Sequence, residues 1–214
     1  MSISEIKAEI IDAAGFDGEE RRQVDDPELF FQGEFTQNAV HMKPGDVCYS
    51  ENSDDMIVAM LGSGVFVSIY DTDLHIGAVA YVLLPENILE AFPQFDAVEP
   101  ALMEKAFAPI ENCLGEMKRH GAGKNRTRVC LVGGADVPND EHDSGTKNYV
   151  FVREALKRKN LSIYHEDLGG QKMRRVHFFP ESGKIVKKVL RRESDVKIIC
   201  GVERDFQKNN TSGA

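Results

Sequence analysis

MIVAMLGSGVFVSIYDTDLHIGAVAYVLLPE, residues 56–86, decides the fold. Three apolar runs, MIVAML, VFVSIY and GAVAYVLL, are cut by Gly62-Ser63-Gly64 and by a polar loop around Asp71, Thr72 and Asp73, and Pro85 closes the block. The runs have strand length and are rich in β-branched and aromatic residues, so the stretch predicts consecutive strands. Unbroken apolarity in the last run predicts a strand covered on both faces.

The flanks extend this pattern. NAVHM and VCYS predict strands around the turn Lys43-Pro44-Gly45-Asp46. Met103, Phe107, Ile110, Leu114 and Met117 form one helical stripe that starts near Pro100 and ends at Gly121 or Gly123, with Pro109 predicting a kink or break. RTRVCLVGGA reads as a buried strand entering a glycine turn, and Thr146 to Lys159 as a second helix with Tyr149, Val152 and Leu156 on one side. LSIYHED, MRRVHFF, KIVKKVL and DVKIIC read as strands, the middle two joined by a hairpin turn at Pro180-Glu181-Ser182-Gly183. The sum is an α/β chain with mixed or antiparallel sheets and at least two helices.

At the ends the signal changes. Ser2 and Glu5 form a capping-box pattern and Ile3, Ile6 and Ile10 recur at helical spacing, predicting a short helix in an acidic extension, residues 1–32. Leu29, Phe30 and Phe31 are expected to anchor that extension to the core. QKNNTSGA is too polar to bury itself, so 201–214 reads as a flexible tail.

Composition narrows the function classes. With 214 residues, 42% hydrophobic and 29% charged, the chain is expected to fold without disulfide staples. A formal net charge of −9 argues against nucleic-acid binding. Cys48, Cys113, Cys130 and Cys200 stand singly, with no zinc spacing, so neither metal nor cofactor is expected. No apolar run has membrane-spanning or signal length, which predicts a cytoplasmic protein with reduced thiols and no membrane insertion. Charge is unevenly spread: residues 1–100 hold 20 acids and 4 bases, residues 101–214 hold 15 acids and 22 bases. Residues 1–34 alone hold 10 acids and 3 bases, so the rest of the chain is nearly neutral. Arg174, Arg175, Lys187, Lys188, Arg191 and Arg192, with Lys172 and Lys184, form a basic cluster that reads either as a solvated hairpin face or as a patch for acidic protein or phosphate.

By itself Leu61-Gly62-Ser63-Gly64 lacks the context of a nucleotide loop. With its neighbours, the string 56–86 resembles the signature region of the CheD family of chemoreceptor glutamine deamidases, in which a strand leads to LGSC and a Gly-rich strand ends in LP. VCLVGGADV resembles the family's later GGA turn, and NYVFVREALKRKNLSIYHEDLGGQKMRRVHFFPESGKIVKKV resembles its helix, its E-D-x-GG-x-x-x-R motif and its terminal hairpin. The similarity runs from about Gly33 to Val189, which implies a CheD-like sandwich over 33–200.

The resemblance implies a cysteine that attacks a receptor glutamine carboxamide, a histidine that activates it and protonates the departing ammonia, and a supporting threonine. Those positions fall on Gly64, Tyr81 and Val58. Glycine has no nucleophile, tyrosine is a poor base at neutral pH, and valine forms no hydrogen bond. The expectation is a catalytically silent CheD-like protein that binds chemoreceptor helices or a CheC-type phosphatase in bacterial signalling, with Leu61, Gly62, Ser63, Gly64 and Tyr81 as its binding site. Tyr81 either fills the space the thiol left or presents its hydroxyl to a partner. Two alternatives stand beside this: a relocated nucleophile among Ser63, Cys48 and Cys130 with His41, His75 or His177 as base, or an interaction module outside chemotaxis. Asp136-Val137-Pro138 stands where the resemblance implies an aromatic that docks the phosphatase, and that departure favours a different partner.

Overall fold

The structure, a computed structural model, describes the backbone of residues 9–12 and residues 37–94, 98–137 and 143–211. Its strands are β1 (Glu9–Asp12), β2 (Asn38–His41), β3 (Val47–Ser50), β4 (Asp55–Leu61), β5 (Val65–Asp71), β6 (Ile76–Val82), β7 (Thr127–Gly133), β8 (Ile163–Leu168), β9 (Arg174–Phe179) and β10 (Lys184–Val189). Its α-helices are α1 (Glu86–Ala91), α2 (Pro100–Arg119), α3 (Ser144–Arg158) and α4 (Glu193–Thr211).

Two five-stranded sheets stack face to face, with orders β1-β10-β9-β4-β2 and β3-β6-β5-β7-β8. Pairing is antiparallel except for β2 with β4 and β7 with β8, so both sheets are mixed, as expected. Alternation along β5 and β6 separates two cores. Phe66, Tyr70, Val79 and Tyr81 face the other sheet with Ile57, Ala59, Leu61 and Phe178, whereas Val65, Val67, Ala78, Ala80 and Val82 meet α1, α2 and α3. Every residue of β5 and β6 is therefore buried, in line with the apolar runs. The β4–β5 turn lies where both sheets and α3 converge.

The start of α3 is held from a distance. Asp136 accepts bonds from the Thr146 N–H at 2.9 Å and the Thr146 hydroxyl at 2.7 Å, which satisfies donors that the helix itself leaves free. Helix α2 runs unbroken through Pro109, because the stripe Ala106, Ile110, Cys113 and Met117 is buried against the sheet and outweighs the one lost backbone bond.

The structure departs from the sequence reading in three places. Glu9–Asp12 is a strand rather than part of a helix, paired antiparallel with β10 in the register Glu9 to Lys187 and Asp12 to Lys184. The open edge of the basic hairpin recruits the β-branched pair Ile10-Ile11, a long-range pairing that local helical spacing does not reveal. The rest of the expected N-terminal helix and the LFF anchor lie outside the described residues. Second, DVKIIC is no strand and 201–211 is no flexible tail: both belong to α4, whose inward residues Val196, Ile199, Glu203 and Phe206 recur at helical spacing. Its docking stripe is too polar for hydrophobic periodicity to register.

Third, the basic cluster is not one solvated face. Arg174 and Lys187 point between the sheets and close on Asp167 of β8 at 3.0 and 2.8 Å, and Arg174 also donates to the carbonyls of Gly169 and Lys172. Burial raises the Asp167 pKa, but hydrogen bonds from Lys187 and Arg174 outweigh it and hold the carboxyl below its usual value. Arg175 turns the other way, with its guanidinium 3.7 Å from the Met60 sulfur, and lines a small cavity with Lys188, Arg191, Arg192 and Asp195. The turn Lys43–Asp46 stands between β2 and β3, as expected, and carries the chain from one sheet to the other.

Candidate functional site

Three residues, Gly62, Ser63 and Gly64, carry the chain from β4 to β5, and all three of their N–H groups point at one carboxylate. The N–H groups of Gly62 and Gly64 lie 3.2 Å from Glu203 Oε1, and the Ser63 N–H and hydroxyl lie 3.2 and 2.9 Å from Oε2. Consecutive backbone N–H groups facing one hollow form an anion cradle. Their orientation is enforced from beneath. The Gly62 and Gly64 carbonyls accept the Ala135 and Gly134 N–H groups at 2.9 Å, and the Ser63 carbonyl accepts Asn148 Nδ2 at 3.1 Å. Asn148 Oδ1 in turn takes the Leu84 N–H at 2.8 Å, so α3 ties the cradle to the end of β6. With every carbonyl of the turn engaged below, its donors face outward.

Gly64 and Tyr81 share one volume. A Cβ built on Gly64 would fall inside the van der Waals shell of Tyr81 Cε2. The ring is 1% exposed, its hydroxyl donates to the Met60 carbonyl at 3.0 Å, and the oxygen lies 3.4 Å from Glu203 Oε1. Burial, and then the charge of Glu203, push the phenol far above its ordinary range, so Tyr81 stays a neutral donor. The ring therefore fills the side-chain space of position 64 instead of presenting its hydroxyl at the surface.

Glu203 reaches this place from α4. A hydrogen bond to a charged group contributes about 1.5–3 kcal/mol, whereas burying a carboxylate costs several kcal/mol even after relaxation. Here burial is the larger effect: the Glu203 pKa is raised despite the bonds from Ser63, Gly64 and Gly62. Docking is thus finely balanced. A carboxyl whose folded-state pKa is raised contributes most when protonated, and that contribution is lost as pH rises from its unfolded value through the folded one. The stability lost in Glu203→Ala is therefore expected to be larger below the usual carboxylate range than at neutral pH. Paired urea titrations of the variant and the parent chain across that range check this; a loss that grows with pH contradicts it.

The other expected positions are not gathered here. Strand alternation turns Val58, paired with His177, to the face opposite Ala59 and Leu61, away from the core that holds Tyr81. Among the candidate nucleophiles, Ser63 donates to Glu203. Burial pushes the Cys130 thiol up to about 12, and it also raises Cys48, Cys113 and Cys200. None of the four thiols has the lowered pKa of an activated cysteine. His177, drawn down to about 4 by burial and by Arg175, is a weak base, and His75 is bonded to the Tyr70 hydroxyl at 2.9 Å. Among the described residues no group of His, Cys, Asp and Glu could hold a metal ion, and no helix is long and apolar enough to cross a membrane.

The family model described as CheD chemotactic sensory transduction matches residues 99–189, from α2 through β10. A probable chemoreceptor glutamine deamidase CheD of Methylobacillus flagellatus is 30% identical over 179 residues, covering 82% of this chain and 85% of that protein. A probable chemoreceptor glutamine deamidase CheD 2 of Burkholderia thailandensis is 31% identical over 180 residues, covering 83% and 89%. This chain belongs to the CheD family. Among solved structures, a Neisseria meningitidis protein of the DUF152 family model aligns with 87% of this chain and 94% of its own at 11% identity and a TM-score of 0.40. YlmD of Geobacillus stearothermophilus aligns with 70% and 62% at 12% identity and a TM-score of 0.34.

In this CheD family member the sequence reading singled out the Gly62–Gly64 turn, the GGA turn and Tyr81, and the structure brings these three together. It missed Glu203 and Asn148. Asn148 lies within the correctly read α3, where a polar residue on the buried side was the available signal. Glu203 lies where a tail was expected, and its only signal was the i, i+4 and i, i+3 spacing to Ile199 and Phe206.

Proposed function

We propose that this chain is a catalytically silent CheD-like protein that acts by binding within a bacterial chemotaxis or related signalling system, using the Gly62–Gly64 cradle and its surroundings as the binding site. One observation carries the reading: where the family resemblance puts the nucleophile there is a glycine whose side-chain space is filled by the Tyr81 ring. Loss of a nucleophile or its base from a unit of this kind lowers turnover on the order of 10⁶-fold. The raised pKa values of the four thiols supply no replacement. What remains at the turn is a set of fixed donors suited to a side-chain carboxylate or carboxamide.

The test uses a chemoreceptor cytoplasmic fragment with helix glutamines, incubated with this protein and, in parallel, with an active CheD. Mass spectrometry of receptor peptides is expected to show the exchange of amide NH2 for OH only with the active enzyme. Deamidation by this chain at a comparable rate would refute the proposal. A CheC-type phosphatase is the second partner to present, with complex formation as the readout.

A further inference from the structure

We infer that helix α4 is a removable occupant of the cradle, its Glu203 standing where a carboxylate or carboxamide on a partner's helix binds, so that α4 docking and partner binding exclude one another. The inference rests on the proposed reading of the cradle as a partner site and adds its regulation.

The manner of docking supports this. Besides Glu203, α4 has a second polar anchor one turn on: Gln207 Nε2 donates to the Leu84 carbonyl at 3.0 Å and its Oε1 accepts the Glu86 N–H at 2.8 Å. Apart from the Ser63 hydroxyl and Tyr81, both anchors meet backbone groups of the body. Such recognition asks of a helix only that it present a carboxyl or carboxamide at one position and an amide four residues later. Ser63 and the three N–H groups satisfy an amide oxygen as well as a carboxylate, because the hydroxyl rotates to donate or accept.

Retention of α4 is weak by construction. Its buried apolar residues form a small cluster, Met173, Leu190 and Ile199 bordered by Met60, Val137, Val196 and Cys200, separate from both main cores, and further along only the half-buried Phe206 packs on the body, over Gly45. Release of the helix therefore leaves the two sheets and their cores in place. Ile198 and Val202 are 55% and 38% exposed, and a Cβ added at Gly201 in mid-helix would meet none of the described residues within 4 Å, so neither packing nor propensity holds this segment strongly.

The experiment uses the full chain, wild type and Glu203→Lys, which sets a cation against the N–H donors. A second variant, Phe206→Ala with Gln207→Ala, loosens α4 while leaving both Glu203 and the cradle intact. The probe is a labelled synthetic peptide of residues 193–211. A resident helix lowers the apparent affinity for a competitor in proportion to the time it is docked, and tethering gives it a large effective concentration. Both variants are expected to bind the peptide about tenfold or more tightly than the wild type, and their Gly62, Ser63 and Gly64 amides to exchange hydrogen faster. Amide protection and peptide affinity unchanged in both variants overturn the inference. So does faster exchange without any gain in peptide binding. A receptor fragment run as a separate arm tells the two readings apart: peptide binding without receptor binding leaves α4 as the cradle's occupant and removes the receptor from the proposed function.

Discussion

A cysteine placed at position 64 is expected to destabilise this protein by about 3 kcal/mol, although a thiol is the side chain that the family resemblance puts there. The reason is steric. The new Cβ would enter the space of Tyr81 Cε2, and the ring has no easy retreat: it is 1% exposed, packed between the sheets, and tethered through its hydroxyl to the Met60 carbonyl. Tyr81→His alone removes ring contacts from the core and costs about 2 kcal/mol. Combined, the two changes are expected to cost little more than Tyr81→His by itself, a coupling of about 2–3 kcal/mol. Urea unfolding of the four chains of the cycle measures it. Additive losses would show that Gly64 and Tyr81 do not share one volume, and the plugged-site reading would fall with them.

The second large effect is beneath the cradle. Gly133 has φ +123°, a region that side chains rarely enter, and a Cβ there would fall inside the van der Waals shell of the Gly64 carbonyl oxygen. That oxygen is backbone and accepts the Gly134 N–H, so it cannot rotate aside. Backbone strain of about 1–3 kcal/mol and overpacking of a similar size together predict a loss of about 4 kcal/mol for Gly133→Ala. Against a total of about 5–15 kcal/mol for a typical domain, such a change removes much of the stability. Thermal and urea unfolding check it; a loss under about 1 kcal/mol would mean that the GGA turn does not brace the cradle.

Both effects trace to glycines that the sequence reading noticed as motif residues without a reason for them. LGSG and GGA were legible as separate turns 70 residues apart. Antiparallel pairing of β5 with β7, in the register Val65 to Gly133, sets one turn on the other. Glycine is required where those two backbones touch.

Much of the architecture was determined locally. The three apolar runs of 56–86, the amphipathic stripe of α2 and the hairpin at 180–183 gave strands, helix and turn from periodicity and turn residues, because each element buries a face that its own spacing defines. That Gly64, Tyr81 and Val58 stand where the family resemblance puts a nucleophile, a base and a threonine was also readable, since it is a matter of residue type. Tertiary structure alone decided three things. It brought Glu9–Asp12 onto β10, it placed Arg174 and Lys187 on Asp167 instead of in solvent, and it set Glu203 of α4 in the cradle. Each is a contact between distant segments made by backbone edges or charged side chains, and such groups carry no periodic hydrophobic signal. Their partners are chosen by where the folded sheets leave unmet donors and charges.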